Sequence, residues 1–286
     1  FCEALGKSGK ESVLSLREKF SEKYLGGVLS IAQNCSTFSN NISILSYLGN
    51  EGSTNSYIKK NLNKKIKFKF INKKNSPTIL KKRFLDVIDN RKLLGVYNIN
   101  DDNLSAKEES YFLNLLKKES KKHDATIVLD YGHGLITNKI AKFLSTSKKF
   151  VSVNAQVNAS NIGFHTLSRY KNIKSLVINA TELRHEMRRR DGNIINLGKE
   201  LKKNLNIKKV VITQGQSGAI LINENNKLTK VPAFSGSVVD KIGAGDTLFG
   251  LFSICKISKI NDLLSLFIAS VAAGISTSEF ANRKLI

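Results

Sequence analysis

From about Asp124 onward, short apolar runs rich in β-branched residues alternate with amphipathic stretches. The runs are ATIVLD (125–130), FVSVN (150–154), SLVIN (175–179) and KVVITQ (209–214). SAKEESYFLNLLKKESKK precedes the first run, and TNKIAKFLSTS, ATELRHEMRR and INLGKELKKNL separate the others. This alternation predicts an α/β fold of parallel strands joined by crossover helices. GAILINENNKLTKVPA then predicts a β-hairpin on the sheet edge. TLFGLFSICK and NDLLSLFIASVAAGIS are apolar nearly all round and predict buried helices. Before Asp124 the pattern is looser. EKYLGGVLSIAQN reads as a Gly-Gly pair leading into a helix and NISILSYLGNEG as a strand ending in a turn, while KIKFKFIN and TILKKRFLDVI read as alternating strands of an exposed antiparallel flap.

Each predicted parallel strand ends in polar residues: Asp130, Asn154 with Gln156, Asn179, and Thr213 with Gln214. Ligands of open parallel sheets bind outside the carboxyl ends of the strands, so these positions outline a candidate cleft. Polar residues also end strands as turns and helix caps, and that reading stays open for each one taken singly.

Composition changes this picture little. A length of 286 residues fits one large α/β unit. No apolar run approaches the roughly 18 residues that span a bilayer, and the first residues lack the basic-then-apolar plan of a signal peptide. Cys2, Cys35 and Cys255 show no metal-ligand spacing, and an odd count argues against a disulfide framework. A cytoplasmic setting is expected. The net charge of +23 suits polyanions. Yet the lysines fall in scattered pairs such as Lys59-Lys60, Lys73-Lys74, Lys121-Lys122 and Lys208-Lys209, which reads as solvated surface with nucleic acid not expected as a partner. The chain starts at Phe1 and its one methionine is Met187, which reads as a reading frame that lacks its beginning.

The densest chemistry lies in DKIGAGDTLFG (240–250). Glycines ahead of a helix let an anion approach backbone N–H groups and the positive end of the helix dipole. Gly243, Ala244 and Gly245 would supply those groups, with Asp246 beside them. An anion hole next to a carboxylate suits phosphoryl transfer, the N–H groups taking developing charge and the carboxylate a hydroxyl proton. A plain N-cap role for Asp246 is the alternative. The glycine spacing and late position disfavour a dinucleotide fold, and no Lys-Ser/Thr follows to make a Walker A loop.

DKIGAGD resembles the D-x-x-G-A-G-D signature of the ribokinase-like PfkB carbohydrate kinases. Gly26-Gly27, LGNEG (48–52), NATE (179–182) and TQGQSG (213–218) extend the resemblance over nearly the whole chain, and YLGGVLSIAQN, SPTILKKRF and LDYGHGLIT are most similar to the heptose-7-phosphate kinase branch. The resemblance implies a single domain over 1–286 with a three-layer α/β/α fold, a mostly parallel sheet and a small β lid of strands near 10–18 and 64–100. A first strand would lie before Phe1, and the C-terminal end is also expected to be incomplete. It implies an ATP- and Mg²⁺-dependent kinase of a sugar or sugar phosphate, with a homodimer through the lid and a nucleotidyltransferase, fused or separate, among the partners to look for. By the same resemblance Asp246 is the general base and Gly243, Ala244 and Gly245 the anion hole. Asn179 and Glu182 hold the Mg²⁺–phosphate network through water, and Thr213, Gly215 and Gly218 bound the nucleotide. Asp240 shapes the loop, and a monovalent-cation site there is left open. On the sugar side stand Gly26 and Gly27, with Lys82 and Arg83 of the lid as candidates for a substrate phosphate; the polar strand ends Asp130, Asn154 and Gln156 complete the substrate side of the cleft.

Departures from the family pattern are Ser30 and Ile31 where an Asn is usual, His133 where a Lys is common, Asn50-Glu51 in a Gly-Asp-Asp-like turn, and Lys241 inside the main motif. They keep a second class of function in view: a kinase fold that binds nucleotide or a partner without turnover.

Overall fold

The computed structural model describes residues 1–9, 13–157, 160–234, 236, 238–280 and 286. Its central sheet runs β12-β11-β10-β9-β8-β7. β7 (Ala125–Asp130), β8 (Phe150–Ala155), β9 (Ser175–Asn179) and β10 (Lys209–Thr213) are parallel, and the antiparallel hairpin β11 (Ala219–Ile222) and β12 (Leu228–Val231) closes one edge. The strand alternation of two sends successive side chains to opposite faces. In the β9–β10 register Leu176 and Ile178 sit beside Val210 and Ile212, with Val177 beside Val211 between them. The first four enter a core that also contains Phe112, Ile140, Leu183 and Leu201. Val177 and Val211 enter the opposite core with Phe249, Phe252 and Leu266.

Those two cores are the two interfaces of a helix–sheet–helix sandwich. Helices α3 (Ala106–Ser120), α4 (Asn138–Ser145), α5 (Ala180–Met187) and α6 (Ile194–Asn204) cover one face. Helices α1 (Val28–Cys35), α7 (Ala244–Ile257) and α8 (Asp262–Ser276) cover the other. α7 is as enclosed as its sequence predicts. α8 is not: Leu263, Leu264, Phe267 and Ile275 remain exposed, because only one of its sides meets α7 and the sheet. All three cysteines are buried and free.

The N-terminal part is built of smaller pieces. β3 (Ser43–Leu48) pairs in parallel with β4 (Lys67–Asn72), and with α1 and α2 (Gly52–Asn61) they enclose a separate apolar cluster around Ile44, Ile58, Leu62 and Ile66. KIKFKFIN therefore does not join the antiparallel flap expected of it: its Ile71 is buried against the large core, and a parallel partner is nearer than the lid. The lid proper is two antiparallel ribbons. One is β1 (Cys2–Lys7) with β2 (Leu14–Glu18), the other β5 (Leu80–Leu85) with β6 (Lys92–Asn98), and a single bridge between Cys2 and Asp86 joins them. Only the parts of the expected lid near 14–18 and 80–98 are lid strands, and Cys2–Lys7 adds one that the sequence reading left out.

Among the described residues β3 has no strand partner besides β4, and β7 none besides β8. Both strands line one cavity of about 1380 Å³, and His123, just before β7, hydrogen-bonds Ser43 at the start of β3. The lysine pairs are not uniformly solvated either. Lys73 is 2% exposed, its ammonium donating to the carbonyls of Asn100 and His133 and lying over the Tyr47 ring. His165 is buried, where it hydrogen-bonds Arg169 and the Asp130 carbonyl. Among the described residues no helix is long and apolar enough to cross a membrane.

Candidate active site

The same cavity opens over the carboxyl ends of the parallel strands and beneath the lid. Asp246, in the first turn of α7, lines it. Gly243 starts that helix at φ 85°, a left-handed conformation that glycine alone adopts without strain. The Ala244 N–H turns back toward the Lys241 carbonyl at 3.5 Å. Gly245 and Asp246 follow in the first turn, where N–H groups have no intrahelical acceptor. No side chain caps α7, so Asp246 is not the N-cap that its position also allowed.

The carboxylate of Asp246 is held at both oxygens. Tyr131 Oη donates to Oδ2 at 3.0 Å, and Gln156 Nε2 donates to Oδ1 at 2.6 Å. Burial pushes Asp246 above the usual carboxylate range, while those two donors and the charge of Lys81 pull it back. Burial and the neighbouring Asp246 charge hold the Tyr131 phenol well above its ordinary value, so it stays a donor. Gly27, at φ 56°, packs its backbone on the Tyr131 ring; a Cβ there would sit 3.3 Å from that ring. The Gly-Gly turn, the tyrosine and the carboxylate thus form one stack.

Gln156 is in turn fixed by Asn154 Oδ1, and Asn154 spends its amide on the Val177 carbonyl of β9. The polar residues at the end of β8 are therefore linked to Asp246 by hydrogen bonds. Asp130 is engaged elsewhere: it accepts from Tyr170 Oη at 2.6 Å and from the Gly132 N–H at 3.0 Å. Asn179 and Glu182 form a capping box on α5, each side chain accepting from the other's backbone N–H. Burial raises Glu182, and the charge of Asp246 raises it further. Two carboxylates that repel each other in a desolvated cleft fit a divalent cation, which would relieve both penalties. Thr213 reaches the cavity wall; Gly215 and Gly218 lie outside it. Gly218 has its own reason for being glycine, since a Cβ there would meet the Val231 carbonyl at 2.1 Å.

On the lid, alternation along β5 separates the predicted Lys82-Arg83 pair. Lys82 is exposed, whereas Lys81 and Arg83 share the other face. The Lys81 ammonium lies over the Tyr131 ring at 5.4 Å and over Tyr97 at 5.6 Å, with Arg83 over Tyr97 at 5.9 Å. Burial and Arg83 lower Lys81, and Asp246 and Asp101 oppose them. Lys81 and Tyr131 are the residues that sequence reasoning passed over. Period two in LKKRF carried a signal for the first, but nothing local marked the second. His133, where the resemblance has a lysine, is buried and lowered by that burial, its Nδ1 2.6 Å from Asp101. Asp240 is buried too, paired with Lys92 of the lid at 2.8 Å.

The family model of the pfkB family carbohydrate kinases matches residues 3–283. The bifunctional protein HldE of Aliarcobacter butzleri is 24% identical over 280 residues, covering 96% of this chain and 56% of that protein. The chain thus spans a little over half the length of this curated relative. Phosphofructokinase-2 from Escherichia coli in complex with potassium superposes with a TM-score of 0.75 at 15% identity, covering 99% of this chain and 90% of that one. Arabidopsis thaliana ribokinase complexed with ribose and ATP gives a TM-score of 0.71 at 17% identity over 98% and 89% of the two chains. With a ribokinase-like fold and a family match from end to end, this chain belongs to the PfkB family of carbohydrate kinases.

Proposed function

We propose that this sugar kinase phosphorylates a hydroxyl of a sugar that already carries a phosphate, a heptose phosphate being the favoured substrate, and that Asp246 is its general base. The observation that carries the reading is the clamped carboxylate: Asp246 lies at the start of α7, with Tyr131 and Gln156 fixing its plane. Each carboxylate oxygen accepts more than one hydrogen bond, so a substrate hydroxyl can still bond to Asp246. Raising the carboxylate toward the working pH improves it as a proton acceptor. As the hydroxyl oxygen attacks, its proton passes to Asp246, and the first-turn N–H groups of α7 take up charge on the transferred group.

Glu182, with Asn179 beside it, would hold a magnesium ion, in keeping with the raised Glu182 carboxyl. Bound with ATP, the ion would neutralise phosphate charge. Thr213 stands on the nucleotide side, and Gly26 and Gly27 on the sugar side. The cationic face of the lid, Lys81 and Arg83, supports a phosphorylated substrate, since two cations over aromatic rings offer charge and donors to an anion. Similarity to HldE proteins favours a heptose phosphate among such sugars.

The test is a panel of sugars and sugar phosphates with ATP and Mg²⁺, monitored for ADP. Turnover of a phosphorylated sugar that falls sharply in Asp246→Asn supports the reading. ADP formation with neutral sugars alone would reject the phosphate preference, and nucleotide binding without turnover would favour a binding protein.

A further inference from the structure

We infer that the loop opening α7 carries its cation covalently: Lys92 of the lid neutralises Asp240, so this kinase needs no monovalent ion there. The inference rests on the phosphoryl-transfer reading, because that loop is the proposed anion hole.

Asp240 begins the DKIGAGD segment, and its side chain is 5% exposed. A carboxylate so withdrawn from water requires a compensating charge and hydrogen bonds. Lys92 Nζ supplies the charge at 2.8 Å from Oδ1, and the Ile242 N–H donates to the same oxygen at 3.1 Å. The backbone on that side is tied down as well, with the N–H groups of Val239 and Asp240 both donating to the Thr277 carbonyl at the end of α8. An ammonium group and a potassium ion are of similar size and carry the same charge. With Lys92 in place, a further monovalent ion at this carboxylate would meet a cation already seated there, and the next residue, Lys241, also lines the cavity. The donors that the described residues bring to Asp240 do not fit an added monovalent cation.

The source of the charge has a second consequence. Lys92 is the first residue of β6, next to the irregularity where Leu85 faces it, and β6 belongs to the lid. The charge that steadies the loop therefore arrives when the lid docks. In a kinase that borrows a free ion, loop order follows salt; here it follows lid position, which links substrate enclosure to assembly of the anion hole. Lys92 is a positioning residue in this scheme, since it acts on the transferred group through Asp240 and the loop.

The experiment compares parent, Lys92→Met and Lys92→Arg in potassium and in tetramethylammonium buffers of equal ionic strength. Turnover of the best sugar phosphate and calorimetric binding of MgADP are read in parallel, with thermal unfolding to confirm folded protein. The parent should change less than about twofold between salts. Lys92→Met should lose at least about tenfold in turnover and bind MgADP more weakly in tetramethylammonium, and potassium or ammonium should restore most of both. Lys92→Arg should behave as the parent. Potassium dependence of the parent would overturn the inference, as would a Lys92→Met protein equal to the parent in both salts or a loss that potassium fails to reverse. If no sugar phosphate turns over, the phosphoryl-transfer reading fails and the MgADP arm alone decides the question. A parent that binds no MgADP removes both.

Discussion

The two halves of the molecule are built on different plans. From β7 onward, neighbouring strands share one uninterrupted ladder, and residues such as Val153, Val210, Ile212 and Leu221 are wholly buried. Before β7 the strands come in three separate pairs, and much of the lid is exposed, including Leu94 at 53% and Val96 at 47%. The continuous half supplies Asp246, Gln156, Asn179 and Glu182; the segmented half supplies Gly27, Lys81, Arg83 and Lys92. In the proposed reading, the groups that handle the transferred phosphoryl thus sit on the continuous part. Those proposed to meet the sugar and enclose it sit on the smaller, more exposed pieces, the kind of part that moves as a unit in lid closure.

The sharpest way to break this division is Asp246→Asn. We expect kcat to fall by about 10²–10⁴, the usual worth of a general base, with little change in overall structure. The sign for stability follows from the raised carboxyl: its charged form is disfavoured by folding, so the stability cost appears as pH rises through the folded value. Removing that charge should leave the melting temperature at neutral pH unchanged or higher, as differential scanning calorimetry would show. A large fall would mean that Asp246 holds the fold rather than the reaction.

Next in size is a contrast in packing. Phe252 is fully buried between α7 and the sheet, and Phe252→Ala should cost about 3–5 kcal/mol in urea unfolding. Leu94→Ala on the lid should stay within about 0.5 kcal/mol. Equal costs would show that the lid is part of the main cooperative core.

Lys81→Met and Lys82→Met then test which face of β5 meets substrate. Loss of a charged hydrogen bond of about 1.5–3 kcal/mol corresponds to roughly a 10- to 100-fold rise in KM for the sugar phosphate at position 81. At position 82, on the exposed face, the change should stay below about twofold. The reverse order would undo the assignment of the lid's inner surface.

The finest test is Tyr131→Phe. It removes a hydrogen bond that lowers Asp246 and leaves burial, which raises it. The acid limb of the kcat/KM profile should move to higher pH than in the parent, with the alkaline limb fixed. An unmoved acid limb would detach Tyr131 from the titration of the base.

This division also governs how far the sequence could be read. β9 coincides with SLVIN, because a strand buried on both faces by helices needs a continuous apolar run; β7 coincides with ATIVLD although most of its side chains are only partly covered where they line the cavity. DKIGAGD was equally legible, since its glycines serve local backbone geometry. KIKFKFIN was not. Its alternation suits a lid strand or a half-covered parallel strand equally well, and only contact with the large core selects the second. Tyr131 was hidden for a related reason: its partners Gly27 and Asp246 lie about a hundred residues away on either side, beyond any local pattern. Asn154 and Asn179 were found as polar strand ends, yet their hydrogen bonds show one fixing Gln156 and the other capping a helix, a difference that spacing does not encode.

The buried cysteines carry a consequence for how this kinase meets thiol reagents. The thiolate is the species that reacts, and burial pushes the Cys35 thiol up to about 12 and raises that of Cys255 as well, so neither presents much thiolate at neutral pH. Cys35 ends α1 and Cys255 lies in α7, two helices that pack together on one face of the sheet. An alkylating reagent should therefore label these positions slowly in the folded chain and quickly in urea, which turns the labelling rate into a gauge of how often that helix layer opens.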